Sequence, residues 1–239
     1  MGDVDDARAV QGLIERALAN DDEDNHSYWA VVRELQQRDS RVTLNAMVDL
    51  CKKNSEASQR LGLNVLAQLG FRSGRPFLEE SLPVVLAFCD PNLSAPVLVD
   101  AIAALGHLHD LRGLEPVLRC STHRDADVRF QVASSLPYVA GDPPDPRAVD
   151  ALIILMGDGK SEVRDWATFG LGTQLDVDSE SVREALLTRM RDPDGDTAGE
   201  ALVGLATRGD QRVIDEIRAL LGSPTVGNLI VEAAAKMGD

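Results

Sequence analysis

Apolar residues recur along most of the chain at spacings of three and four, leaving one stripe of each segment oily and the opposite stripe polar. That period belongs to amphipathic helices, and no segment sustains the alternation of a strand. A longer period overlies it. The fragments NVLAQLG (64–70), DAIAALG (100–106), QVASSLP (131–137), WATFGLG (166–172), EALVGLA (200–206) and EAAAKMG (232–238) each close on a large apolar residue and then a small one. Anchored on Leu69, Leu105, Leu136, Leu171, Leu205 and Met237, the steps are 36, 31, 35, 34 and 32 residues. Loose spacing of this length marks stacked helical hairpins.

Shorter periodic segments at 76–88, 112–119, 147–156, 182–190 and 212–221 supply the first helix of each hairpin. Asp145-Pro146 and Ser223-Pro224 read as helix-start or loop signals. Ser181 with Glu184, and Thr197 with Glu200, have the spacing of capping boxes. Upstream, 4–19 is helical, 21–25 is an acidic loop, and 28–37 with 42–52 look like one more helix pair. A stacked array needs its first oily face covered. Residues 1–54 are therefore predicted as a cap plus a degenerate repeat, and residues 55–239 as one continuous solenoid.

Two motifs narrow the reading. Asp127-Val128-Arg129 and Glu162-Val163-Arg164, each followed by a small-apolar pattern ending in Leu, resemble the HEAT family, in particular the short bacterial repeats of phycobilin lyases. The resemblance covers roughly residues 55–239. It implies an all-α, right-handed α-solenoid of about six to seven helical hairpins. It also implies that Arg129 and Arg164 bridge neighbouring repeats, and that the second helices line a concave surface. It says little about activity, because such repeats serve unrelated functions.

Stacking the six second helices in register separates core from surface. The anchor column, the column four residues before it (Val65, Ala101, Val132, Ala167, Ala201, Ala233) and the column eight before it (Leu61, Val97, Val128, Val163, Thr197, Leu229) share one stripe, the core. The small column after the anchor (Gly70, Gly106, Pro137, Gly172, Ala206, Gly238) suits helix ends and tight turns. Five before the anchor stand Asn64, Asp100, Gln131, Trp166, Glu200 and Glu232, and nine before it Arg60, Pro96, Asp127, Glu162, Asp196 and Asn228. These polar columns are expected to face solvent. Asp100, Asp127, Gln131, Glu162, Trp166, Asp196, Glu200 and Glu232 form the candidate binding stripe. Trp166 is its anchor, an apolar surface with an indole donor, unless it folds over Gly170 and Gly204 and packs between repeats.

Composition sharpens this picture. Hydrophobic residues make up 44% of 239 and aromatics 4%, so the core is built of small aliphatics. The net charge of −15 repels phosphate backbones and anionic lipid and attracts basic partners. Cys51, Cys89 and Cys120 read as buried free thiols of a reducing compartment, and the acidic start lacks signal-peptide features, so the expected location is the cytoplasm. No metal site or cofactor is expected. His107, His109, Cys120 and His123 match no zinc spacing. Asp192, Asp194 and Asp196 open like an EF-hand loop, but Thr197 replaces its glycine and Val203 its glutamate. Arg208-Gly209-Asp210 is an adhesion tripeptide in letters only.

The leading functional expectation is a non-catalytic scaffold presenting an acidic concave face to a basic protein segment, with no nucleic acid and no membrane as partner. Two alternatives come from resemblance. A lyase-like or chaperone-like enzyme subunit related to phycobilin lyases would want basic groups in its groove. A helical-repeat DNA glycosylase, suggested by Asp165 beside Trp166, would need a basic face. The repeated His-Glu pairs of HEAT-like di-iron hydroxylases are missing from the sequence.

Overall fold

A computed structural model of the chain describes residues 2–19, 26–222 and 226–238. The acidic segment 21–25 and the Ser223-Pro224 signal lie outside the described residues. Every regular element among those described is helical. The protein divides into two compact units, residues 1–116 and 117–239.

In the first unit lie α1 (Gly2–Leu18), α2 (His26–Gln37), α3 (Arg41–Cys51), α4 (Glu56–Leu66), α5 (Leu78–Leu86) and α6 (Ala95–Leu108). Helix α7 (Leu114–Arg119) crosses the division. The second unit holds α8 (Ala126–Val139), α9 (Pro146–Leu155), α10 (Ser161–Phe169), α11 (Glu180–Arg189), α12 (Gly195–Thr207), α13 (Ile214–Leu221) and α14 (Asn228–Gly238). Among the fourteen α-helices of the described residues, six consecutive pairs pack together: α1 with α2, α3 with α4, α5 with α6, α9 with α10, α11 with α12 and α13 with α14.

Within each unit the even-numbered helices stack on one another, α2 on α4 on α6, and α8 on α10 on α12 on α14. Their core columns are buried as patterned: Leu61, Val65, Leu136, Val163, Ala167, Leu171, Leu205 and Ala233 are all at most 1% exposed. Pairing at the amino terminus differs from expectation. Helix α2 packs on α1, and α3 packs on α4. Ser40 and Ser55 accept the backbone N–H groups of Thr43 and Ser58, so each starts a helix, and the turn at 52–55 lies inside the α3–α4 hairpin.

Capping also falls elsewhere than the capping-box spacing suggests. Ser179 accepts from Val182 N–H to start α11. Asp194 accepts from both the N–H and the hydroxyl of Thr197 to start α12. Thr197 is thereby drawn fully into the core. Asp192, Asp194 and Asp196 are thus a helix-starting turn, and no metal-binding cluster occurs among the described residues.

The small column falls in the last turn of its helices or in the turn that follows, as its residue types suggest. Gly70 alone of the six takes up a left-handed turn, with φ of 68°. Gly106, Pro137 and Ala206 lie within α-helices, and Gly172 lies in a wide π-helical turn at 170–174. A Cβ on Gly204 would sit 2.6 Å from Gly172 Cα and 3.2 Å from Leu186, so the two glycines let α12 cross this turn backbone to backbone. Gly204→Ala is therefore expected to destabilise the protein by about 1–3 kcal/mol despite alanine's better helix propensity, because backbone rather than a flexible side chain must move. Urea denaturation measures the loss.

Candidate functional site

Arginines of the second helices hold the hairpins in register. Arg129 grips Asp158 through Nε (2.6 Å) and Nη2 (3.0 Å), and its Nη1 donates to the His123 carbonyl. Arg164 grips Asp192 in the same way, at 2.8 and 2.7 Å, and donates to the Asp158 carbonyl. Each pair links an even-numbered helix to the loop entering the next one. Asp192 is only 1% exposed, and Arg189 also reaches it at 3.0 Å. These guanidinium groups hold Asp158 and Asp192 well below the usual carboxylate range.

Arg208 caps a different seam. It donates to the carbonyls of Leu171, Gly172, Val177 and Gly204, covering the end of the π-helical turn. Asp210, 4% exposed, is clasped by Arg212 and Arg183. The tripeptide 208–210 is thus committed to internal bonding.

The candidate stripe divides into three groups. Asn64 and Asp100, expected to face solvent, are each 7% exposed. Asn64 donates to the Tyr28 hydroxyl, and Asp100 accepts from Arg60 at 2.8 Å. Asp100 is therefore a structural carboxylate, a correction with a simple cause: Arg60 of α4 meets it where α4 and α6 stack. Asp127, Glu162 and Asp196 are exposed, and each occupies the first turn of its helix, where a negative charge stabilises the helix dipole locally.

Trp166, Glu200 and Glu232 make the third group. Trp166 is half-buried in α10, its ring edge-on to Phe130 of α8 (5.8 Å between centroids) and to Phe169 (5.9 Å). It does not fill the space at the glycines. Gly170 faces Pro137 and Leu152, and Gly204 faces Gly172 and Leu186. Gln131, half-buried on α8, bonds to Ser134 and Ser135 on its own helix.

Glu200, half-buried in mid-α12, is pushed up to about 7 by burial and then by the charges of Asp165, Glu232 and Asp196. Asp165, beside Trp166, is pushed up to about 6 by burial and then by Asp194 and Asp196. Its Oδ1 is buried and accepts no hydrogen bond. Glu232 on α14 is exposed. No arginine, lysine or histidine among the described residues pairs with Asp165, Asp196, Glu200 or Glu232. The stacked helices α10, α12 and α14 thus present carboxylates that no cation among the described residues answers, beside a partly exposed tryptophan.

Asp165 lies outside the columns of the candidate stripe. It stands six before the anchor, in a column otherwise made of Leu63, Val99, Phe130, Gly199 and Val231. A carboxylate in an apolar column was the available signal. The cysteines match expectation: all three are free and buried, and burial pushes the Cys51 thiol up to about 12. Among the described residues no helix is long and apolar enough to cross a membrane.

Comparison with known proteins identifies the fold. No protein-family model matches the chain. Protein YibA of Escherichia coli K12 is 32% identical over 95 residues, 40% of this chain and 34% of YibA, so the matched segment spans about a third of that relative. The crystal structure of YibA superposes with a TM-score of 0.75 at 20% identity, covering 97% of this chain and 85% of that one. A HEAT-like repeats protein from the archaeon Thermococcus onnurineus gives 0.60 at 13% identity over 96% and 95%. A designed armadillo repeat protein in complex with the peptide (KR)4 gives 0.54 at 13% identity over 81% and 97%. The fold is like that of helical-repeat proteins of the HEAT and armadillo kind. The narrower likeness to phycobilin lyases gains no support from these neighbours.

Proposed function

We propose that the protein is a non-catalytic interaction scaffold that takes a basic segment of another protein along α10, α12 and α14. The observation that carries this reading is a contrast within the molecule. Where a carboxylate holds the fold together, an arginine answers it: Asp100 has Arg60, Asp158 has Arg129, Asp192 has Arg164 and Arg189, and Asp210 has Arg183 and Arg212. Asp165 and Glu200 are half-buried yet have no such partner. Burying an unpaired carboxylate is costly, and here the cost appears as raised proton affinity.

A cation supplied from outside removes that cost, and Trp166 beside the carboxylates offers ring surface to the methylene stem of a lysine or the plane of an arginine. The fold is compatible with such a partner, since the designed armadillo neighbour is complexed with (KR)4. The same charges would repel a ligand that carries carboxylates of its own.

The test is a titration with a fluorescent (KR)4 peptide, followed by anisotropy. Saturable binding is expected at low salt, weakening at least about tenfold as ionic strength rises several-fold. Trp166→Ala is expected to weaken it about tenfold or more while leaving the helical circular-dichroism spectrum intact. Binding that ignores both salt and Trp166, or no binding, would refute the proposal.

A further inference from the structure

The first unit carries a cavity of opposite character, unconnected with the acidic row. It lies where α2 ends, beside the turn that follows α4. Its volume is about 300 Å³, and its lining includes Arg33, Gln36, Asp39, Gln68, Phe71 and Arg72. That volume sits at the small end of ligand sites and accommodates a single amino acid or molecule of similar size.

Two observations set it apart. In a chain of net charge −15, neither Arg33 nor Arg72 has a carboxylate partner among the described residues, whereas Arg38, Arg41 and Arg60 of the same unit pair with Asp6, Glu80 and Asp100. In addition, Asp39 Oδ1 is buried and accepts no hydrogen bond, although two guanidinium groups line the same cavity. Positive and negative groups share one space without meeting each other.

The frame that holds them is fixed. Gly70 N–H donates to the Gln36 carbonyl, the Gly70 carbonyl accepts from Arg75 N–H at 2.9 Å, and the Gln36 amide donates to the Asn64 carbonyl at 2.9 Å. Gly70 is required on two counts. Its φ is positive, and a Cβ there would stand 2.9 Å from Asp39 Oδ1 and 2.7 Å from Pro76. The missing side chain is what leaves the Asp39 oxygen room inside the protein. Phe71, 57% exposed, adds an apolar wall, with Arg75 over its ring at 5.1 Å.

A simple anion would be drawn by Arg33 and Arg72 but repelled by Asp39, and a simple cation would meet the reverse. We infer that the cavity binds a small zwitterion of the free α-amino acid class, its carboxylate held by Arg33 and Arg72 and its ammonium by the carboxylate of Asp39. The amides of Gln36 and Gln68 supply further donors and acceptors, and Phe71 faces the ligand's side chain. Charge-assisted bonds of this kind provide both affinity and orientation.

The test is ligand-observed NMR of the full chain with free amino acids, one at a time, together with N-acetyl and carboxamide derivatives and inorganic phosphate. At least one free amino acid is expected to bind in the millimolar range or tighter. Blocking either its amine or its carboxylate should weaken it about tenfold or more, as should Asp39→Asn or Arg72→Ala. Asn tolerates the left-handed backbone found at Asp39 (φ 39°), so Asp39→Asn keeps the turn. The inference is overturned by no binding at ~10 mM of any amino acid, by phosphate binding as well as the best zwitterion, or by binding indifferent to Asp39→Asn.

Discussion

Arg164→Ala is expected to lower the stability of the second unit by about 3 kcal/mol, the largest loss predicted for any single arginine here. Asp192 is 1% exposed and takes two parallel bonds from Arg164, which also satisfies the Asp158 carbonyl. Removing the guanidinium strands a buried carboxylate with Arg189 as its remaining cation. That survivor keeps the loss at the low end of the roughly 3–5 kcal/mol expected for a buried pair broken on one side.

The pH dependence provides a second reading of the same experiment. The depressed pKa of Asp192 contributes stability that is present above its unfolded value near 4 and is lost as pH falls through the lower folded value. Without Arg164 the folded value rises, and the acid-side loss begins at higher pH. Urea denaturation from neutral to acid pH measures both. A loss under about 1 kcal/mol would mean that apolar stacking alone sets the register.

Acidification from pH 8 to pH 5 is expected to affect the acidic row in opposite senses for folding and for binding. Glu200 at about 7 and Asp165 at about 6 hold protons in the folded state that the unfolded chain releases above its ordinary carboxylate values. Folding therefore takes up protons in this window. The contribution of these two groups to stability is fully present below the unfolded values near 4 and is lost as pH rises through 6 to 7.

A basic peptide prefers the ionised carboxylates, so its affinity runs the other way. It should fall about ten- to a hundredfold between pH 8 and pH 5, because protons must be expelled before the cation can pair. His107 and His109 complicate whole-chain melts, since burial first lowers both, followed by the His109 and then the Arg75 charge for His107 and by the Arg75 charge for His109; they contribute stability that is lost on acidification. The difference between wild type and Glu200→Gln isolates the row. In that variant the pH slope of peptide affinity should flatten, and stability should gain less on acidification. An unchanged slope would show that Glu200 titrates in its ordinary range and is well solvated.

The fold was legible because its signal is periodic. Each anchor leucine is a core residue in a stack that repeats it, and the aliphatic columns at four and eight residues before it are buried with it. Local chemistry was harder to place. The caps of α11 and α12 sit two and three residues ahead of Ser181 and Thr197, because an earlier Ser179 and Asp194 reach the free N–H groups first.

The polar columns misled more seriously, since a polar residue in register says nothing about whether an internal cation meets it. Asp100 and Glu200 occupy the same column, yet one is paired with Arg60 and the other with nothing basic. That difference depends on Arg60, forty residues away in sequence, and only folding brings it to Asp100. Asp165 was hidden for a related reason. Its column is otherwise apolar or small in the neighbouring repeats, and nothing in the column itself marks a half-buried carboxylate as unpaired.

Trp166 lies beside the unpaired carboxylates Asp165 and Glu200, and its fluorescence reports whether a basic segment docks there. In a Trp29→Phe background Trp166 is the one tryptophan left in the chain. Titration with unlabelled (KR)4 should then change its emission saturably, with the same affinity as anisotropy reports, and Glu200→Lys should abolish the change. Binding of the peptide with Trp166 emission unaltered, or an identical response in Glu200→Lys, would place the partner elsewhere and contradict the account.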